Sequence, residues 1–219
     1  MKTFIQLNTK KEGNLPKIFS SEDNRFPEPL ARHFLNMYTK KGDKVLDLFA
    51  GFGTTLIVSE KTGRIPFGVE YDKKRYEFMK SKLKNKKNIV NGNSLKLLKY
   101  NFPKLDFCLS SPTYMHKGYG RDPLSNDSKK GTYQKYLQDL GKIFYQLKSI
   151  MKKNSYIVIE VSNLKGRTVT TLAWDIAKEI SKVFHFEGET IVGWKGKSGK
   201  DGTYGYGYDH SYCLVFRNL

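Results

Sequence analysis

A chain of 219 residues is long enough for one well-buried core and falls within the usual range of a single α/β domain. Lys and Arg outnumber Asp and Glu by 39 to 21, a formal charge of +18, which implies a polyanionic partner; the alternative is a solvated lysine-rich surface, as residues 82–87 read on their own. No stretch approaches the ~20 apolar residues of a membrane span, and the opening Met1-Lys2-Thr3-Phe4-Ile5-Gln6-Leu7 turns polar too soon for a signal peptide, so a soluble cytoplasmic protein is expected.

Residues 1–25 show no clear period and read as an N-terminal arm ahead of a single domain over 26–219. Phe26-Pro27-Glu28-Pro29 opens a helix with proline and an acid in its first turn, and Leu30, Phe34, Met37 and Tyr38 share one face until Lys41-Gly42 closes it. Residues 45–49 predict a strand, turned by Gly51-Phe52-Gly53-Thr54-Thr55 into a helix. A second strand over 64–69 ends at Glu70, and 73–84 is helical with Tyr76, Met79 and Leu83 on one side. A brief strand at 88–91 precedes a short helix at 94–100.

Residues 105–110 form the fourth strand, an apolar run that stops at Ser111-Pro112-Thr113-Tyr114. After a polar loop over 115–132, the longest helical pattern places Tyr133, Leu137, Leu140, Phe144, Leu147 and Met151 near a 3.6 period. Residues 156–161 predict a fifth strand and 169–183 a helix. Strands at 190–194 and 212–216 then follow each other with no helix between them, only the Gly/Tyr/Lys segment 195–210, so they should be antiparallel. The expectation is an α/β fold with a seven-stranded, mostly parallel sheet, one reversed strand and helices on both faces. Cys108 and Cys213 sit in apolar strand patterns and read as core residues, with no disulfide and no metal site.

Asp47-Leu48-Phe49-Ala50-Gly51-Phe52-Gly53-Thr54-Thr55 is a strand end, a glycine turn and a helix start. Glycines at 51 and 53 let a ligand approach the backbone, and Glu70 at the next strand end suits both hydroxyls of a ribose. An acid facing the turn repels phosphate and suits a cationic ligand, one bearing an ammonium and a sulfonium. Gly92-Asn93-Ser94 offers polar contact to an adenine edge. The alternative is a glycine turn that only makes a tight corner.

Taken in order, Phe26-Pro27, residues 47–55, Glu70, Gly92-Asn93 and Ser111-Pro112-Thr113-Tyr114 resemble the S-adenosylmethionine-dependent amino-methyltransferases of nucleic-acid bases, across most of residues 26–217. The family's fourth-strand motif is Asp, Asn or Ser, then Pro-Pro, then an aromatic, and the Ser form is most typical of cytosine-N4 enzymes. The resemblance implies a Rossmann-like class I methyltransferase fold and S-adenosylmethionine as cofactor. It further implies that Phe26, Asp47, Phe49, Gly51, Gly53, Thr54, Glu70, Asn93 and Ser94 line the cofactor, with Ser111, Pro112 and Tyr114 at the target base. Thr113 replaces the second proline and Asn93 the usual Asp.

An exocyclic amino nitrogen is a poor nucleophile because its lone pair is delocalised into the ring. The Ser111 Oγ and the Pro112 carbonyl are acceptors for its two protons, and the Tyr114 face can hold an extruded base. The loop over 115–132 carries Thr113's neighbours His116, Lys117, Tyr119, Arg121, Lys129 and Lys130; the segment 196–209 alternates Gly with Tyr204, Tyr206 and Tyr208 beside Lys197 and Lys200. Basic loops with interleaved aromatics suit backbone contact and base stacking, so Thr113, His116, Lys117, Tyr119, Arg121 and the three tyrosines are expected at the substrate. Without a separate target-recognition region in this stretch, the reading favours RNA, including ribosomal RNA, over DNA. A nucleic-acid-binding protein that keeps the fold without turnover is the alternative of another class. His33 and His185 read as structural, and neither His116 nor His210 is assigned to catalysis.

Overall fold

The computed structural model describes residues 2–196 and 200–219. Its centre is four parallel strands, β2 (Lys44–Asp47), β3 (Ile65–Glu70), β5 (Leu105–Ser110) and β6 (Met151–Val161). β4 (Ile89–Asn91) extends one side, and on the other lie β10 (His210–Arg217), β9 (His185–Lys195) and β1 (Phe4–Asn8). The order is β1-β9-β10-β6-β5-β2-β3-β4, and β10 runs antiparallel to both β6 and β9. A small hairpin of β7 (Leu164–Lys165) and β8 (Val169–Thr170) stands apart. The mostly parallel sheet with one reversed strand is therefore as the sequence predicts.

Period-2 alternation divides the strands between two covered faces. Val45, Phe107, Leu109, Val158 and Val215 pack with Leu30, Phe34 and Leu35 of α1 (Glu28–Tyr38) and Val58 of α2 (Thr54–Lys61). Leu46, Cys108, Ile157, Ile159 and Leu214 point the other way, onto Leu140, Phe144 and Leu147 of α4 (Tyr133–Ile150) and Ile176 of α5 (Leu172–Ser181). α3 (Lys73–Lys82) closes a third cluster through Met79, against Leu56 and Ile89. Leu140 is fully buried, so truncating it to Ala costs about 2–5 kcal/mol. Both cysteines are buried and free. Among the described residues no helix is long and apolar enough to cross a membrane.

Three expectations change. The first 25 residues are not irregular throughout: β1 pairs in parallel with β9, making the sheet eight-stranded, and a 3-10 turn spans Lys17–Glu22. The strand has no apolar run, and only Ile5 and Leu7 face the α1 core, so its pairing could not be seen locally. The helix expected over 169–183 begins at Leu172 instead, because residues 164–170 form the β7–β8 hairpin. The terminal strands are longer than 190–194 and 212–216, since β9 and β10 extend each other's hydrogen-bond ladder through polar residues.

The sheet positions the site through one feature of its order. From β2 the chain proceeds through β3 and β4 to one edge, whereas from β5 it proceeds through β6 toward the other. The crevice between the carboxyl ends of β2 and β5 is the topological switch point, where open α/β sheets bind ligands.

Candidate active site

A pocket opens at that crevice, lined by the ends of β2, β3, β5 and β6, by Asn93 and Ser94 after β4, and by Asn24, Arg25, Phe26, Tyr204 and Tyr206 above. On its β2 side Asp47 is buried and accepts from the Ser110 hydroxyl at 2.6 Å and the Phe49 N–H at 3.1 Å. Burial pushes its pKa up to about 6, although hydrogen bonds from Ser110, Phe49 and Thr55 oppose the rise. Glu70 accepts from the Gly51 N–H at 2.6 Å and from the Asp72 N–H at 2.8 Å. Burial raises it to about 7, against those two N–H groups and the charge of Arg75. Two carboxylates thus lie in one pocket, each raised by burial.

The turn between them depends on its two glycines in different ways. Gly51 has φ +52, and a Cβ there would find only its own turn, the Phe49 oxygen at 4.0 Å, which leaves the backbone open to a ligand. Gly53 has φ +87, and a Cβ would lie 2.5 Å from Met79 Cγ, so it serves the packing of α2 on α3 and does not line the pocket. Thr54 opens α2 at the pocket. Asn93 caps the following 3-10 turn by accepting from the Leu95 N–H at 2.8 Å, and Ser94 donates to the Leu48 carbonyl at 2.5 Å.

On the β5 side, the Ser111 hydroxyl donates to Glu160 Oε2 at 2.9 Å, and the Tyr114 hydroxyl reaches the same oxygen at 3.3 Å while accepting from the Ser162 N–H at 3.0 Å. Glu160 is buried at the end of β6, and burial raises its pKa. The Thr113 carbonyl accepts from Tyr136 at 2.7 Å, which fixes the loop in place of the missing second proline. Ser111, Pro112, Thr113 and Tyr114 all line the pocket.

The roof comes from two distant segments. In the first, Arg25 forks onto Asp23 at 2.8 and 2.9 Å beside Lys11 at 2.9 Å; burial alone would raise Asp23, but these cations hold it at about 2. Phe19 packs edge-on against Phe52 and Phe78, pinning this segment to the glycine turn and to α3. In the second, Tyr204 packs edge-on against Trp194, and Tyr206 lies on Tyr114 with ring centroids 4.8 Å apart. Asn24 hydrogen-bonds Tyr206, so the two segments meet over the pocket.

Of the residues expected at the substrate, Thr113, Tyr204 and Tyr206 line the pocket, and His116, Lys117, Tyr119, Arg121 and Tyr208 do not. Tyr119 and Arg121 are used within their own loop, on Asp127, and Tyr208 packs on His210. Lys117 pairs with Asp175 at 3.8 Å and lies over the Tyr133 ring. Lys197 lies outside the described residues. The 115–132 loop instead sends Pro123, Leu124 and Asn126 to the pocket, with Asn126 bonded to Asp72 at 3.2 Å. Sequence reasoning missed Glu160, Ser110 and Asn24. Glu160 did leave a signal, a single acid inside the apolar run Tyr156-Ile157-Val158-Ile159-Glu160-Val161.

A switch-point pocket with an acid before a glycine turn and another acid on the next strand defines the class: the fold is that of the S-adenosylmethionine-dependent methyltransferases. TrmN from Thermus thermophilus superposes with a TM-score of 0.63 at 14% identity, over 88% of this chain and 49% of that one. A TehB-like SAM-dependent methyltransferase from Corynebacterium glutamicum gives 0.57 at 14% identity, over 91% and 92%. Within that class, residues 2–81 match the family model of the N6/N4 type described as DNA methylase. Type II methyltransferase M.BamHI of Bacillus amyloliquefaciens is 43% identical over 70 residues, which are 31% of this chain and only 16% of that enzyme. The amino-methyltransferase resemblance carried by the motifs is thus borne out, without distinction of the cytosine branch. The pocket fits the cofactor of this class: open backbone at Gly51, a buried acid for a cationic group and a second acid for ribose hydroxyls.

Proposed function

We propose that the chain transfers a methyl group from S-adenosylmethionine to the exocyclic amino group of a nucleobase in nucleic acid, cytosine N4 in RNA foremost, ribosomal RNA included. The observation that carries this reading is Ser111, at the end of β5 in the same pocket as Asp47 and Glu70, with its hydroxyl proton already committed to a buried carboxylate. Phe26, Asp47, Phe49, Gly51, Thr54, Glu70, Asn93 and Ser94 hold the cofactor in this reading. Gly53 supports the turn from behind.

When bound, the cofactor supplies an electrophilic methyl on a cationic sulfur; the amine lone pair forms the new N–C bond and the S–C pair returns to sulfur. Because Ser111 donates to Glu160, its oxygen lone pairs are free to accept an amino proton, and the Pro112 carbonyl accepts the other. Both contacts favour a pyramidal nitrogen and concentrate its lone pair toward the methyl. Methylation leaves a proton on nitrogen that must depart. Ser111 takes it while passing its own proton to Glu160, whose raised pKa makes it the stronger base. Tyr114 and Tyr206 supply aromatic faces, each worth about 1–3 kcal/mol to a stacked base.

RNA is favoured by the short basic, aromatic-bearing loops around the pocket, which suit an unpaired base. A second reading, DNA, is favoured by the DNA methylase family match and the likeness to M.BamHI. Nucleoside mass spectrometry of RNA and DNA, each incubated with protein and isotopically labelled S-adenosylmethionine, tests both. Labelled N4-methylcytidine from RNA supports the first; label confined to DNA selects the second. Absence of label from both, with cofactor bound, contradicts methyl transfer.

A further inference from the structure

The β7–β8 hairpin has no part in the chemistry just described, yet it joins the two sides of the acceptor site. Toward the catalytic loop, Thr170 Oγ1 accepts from the Lys117 N–H at 3.0 Å, and a Cβ on Gly166 would lie 4.0 Å from the His116 ring. Toward the roof, the Lys165 N–H donates to the Tyr206 carbonyl at 3.0 Å, and Gly207 sits so close to the Lys165 side chain that a Cβ there would meet it at 2.5 Å. Two strands of two residues each are too short to persist alone, so these contacts hold the hairpin in place.

Residues 165–169 are all exposed and include Lys165 and Arg167, on a hairpin whose Lys165 backbone meets Tyr206, a residue that lines the pocket. Trp174, in the first turn of the adjoining α5, is 58% exposed. Two exposed cations and a bare indole on the hairpin and the helix that follows it suit the backbone and a flanking base of a polyanionic strand.

The site the strand must reach is closed. With centroids 4.8 Å apart and planes tilted by 49°, Tyr206 and Tyr114 leave no space for a base, which needs about 3.4 Å on each side. Tyr114 is also packed against the main core cluster, and Tyr206 covers part of the ring that a stacked base would need. Tyr206 is flanked by Gly205 and Gly207 at φ +78 and +81, and its carbonyl is tied to the hairpin.

We propose that the β7–β8 hairpin is the docking element for the RNA strand that carries the target base, and that seating the strand on Lys165 and Arg167 draws Tyr206 off Tyr114. The inference rests on the nucleic-acid acceptor of the proposed function. The hairpin thereby couples strand binding to the opening of the acceptor site, so that the Tyr114 ring stays covered by Tyr206 until a strand is in place.

The test measures binding of a cytosine-containing single-stranded RNA oligonucleotide in the presence of S-adenosylhomocysteine, against salt, for the wild type, Lys165→Ala, Arg167→Ala and Arg167→Glu. Each alanine variant is expected to weaken binding about threefold to tenfold and to reduce the salt slope by about 0.7, with cofactor affinity unchanged. Arg167→Glu weakens it further. Hydrogen exchange at the Lys165 amide, protected by the Tyr206 carbonyl in the free protein, should accelerate when RNA binds. If the wild type binds RNA and Arg167→Glu binds it equally well with the same salt slope, the docking role is wrong. Equal protection of the Lys165 amide with and without RNA removes the coupling. If the wild type binds no polynucleotide at all, the nucleic-acid reading itself fails.

Discussion

The two halves of the pocket are built by opposite means. On the β2–β3 side, the groups come from a contiguous turn and the next strand, and local N–H groups hold them, Gly51 to Glu70 and Phe49 to Asp47, with the Ser110 hydroxyl of β5 added at Asp47. On the β5–β6 side, Ser111, Glu160 and Tyr206 come from three distant parts of the chain, and the Tyr206 ring already covers Tyr114. In the proposed function the first is the methyl-donor half and the second the acceptor half, so cofactor affinity and turnover should respond to different residues.

The largest effect that would sharpen this contrast is on turnover. Ser111→Ala and Glu160→Gln are each expected to reduce kcat by about 100-fold to 10,000-fold, as loss of a positioned proton acceptor does, with cofactor affinity nearly unchanged in calorimetry. Ser111→Ala also leaves the Glu160 carboxylate short of a donor, costing about 1–3 kcal/mol in denaturant unfolding. Asp47→Asn should do the reverse. It weakens S-adenosylmethionine binding by about tenfold to a hundredfold, the worth of a charge-assisted contact of about 1.5–3 kcal/mol, because the cation loses its counter-charge. Equal losses of affinity in all these variants would erase the division between halves.

pH probes the donor half through cofactor affinity, whereas Glu160, also raised by burial, reports through turnover. Free Asp47 and Glu70 ionise near 6 and 7, above the ordinary values of 3.8 and 4.5, so the free protein loses stability as pH rises through that window. A bound cation and ribose hydroxyls favour the ionised forms, so affinity for S-adenosylmethionine should rise roughly tenfold or more between about pH 5 and 8, with protons released on binding near pH 6.5. Isothermal titration in buffers of different ionisation enthalpy measures both. A pH-independent affinity would contradict the placement of these acids at the cofactor. The smallest effect concerns the turn's support: Gly53→Ala, forced to φ +87 and against Met79, should cost about 1–3 kcal/mol and lower Tm by several degrees.

The same division explains what was legible in the sequence. Asp47, Gly51 and Glu70 announce themselves because a strand end, a turn and the next strand end are local, and the parallel core strands show as apolar runs. β1 and the β7–β8 hairpin were not legible: the first is a short strand with no apolar run that owes its place to β9, where Phe4 pairs with Ile191, and the second owes its shape to contacts with residues 117 and 206. Glu160 was visible as an acid in an apolar strand, but its partner, Ser111, is set by the β5–β6 pairing. Likewise, Leu124 reaches the cofactor side only because the loop after β5 folds back on α4 and the β3–α3 turn.

The division is tested most directly by a single preparation of Glu160→Gln, in which single-turnover methyl transfer to RNA and S-adenosylmethionine affinity are measured together. Transfer at least about 100-fold slower than wild type, with affinity within about twofold, is the expected result. Transfer at the wild-type rate, or a parallel fall in rate and affinity, would contradict an acceptor half that works through Ser111 and Glu160.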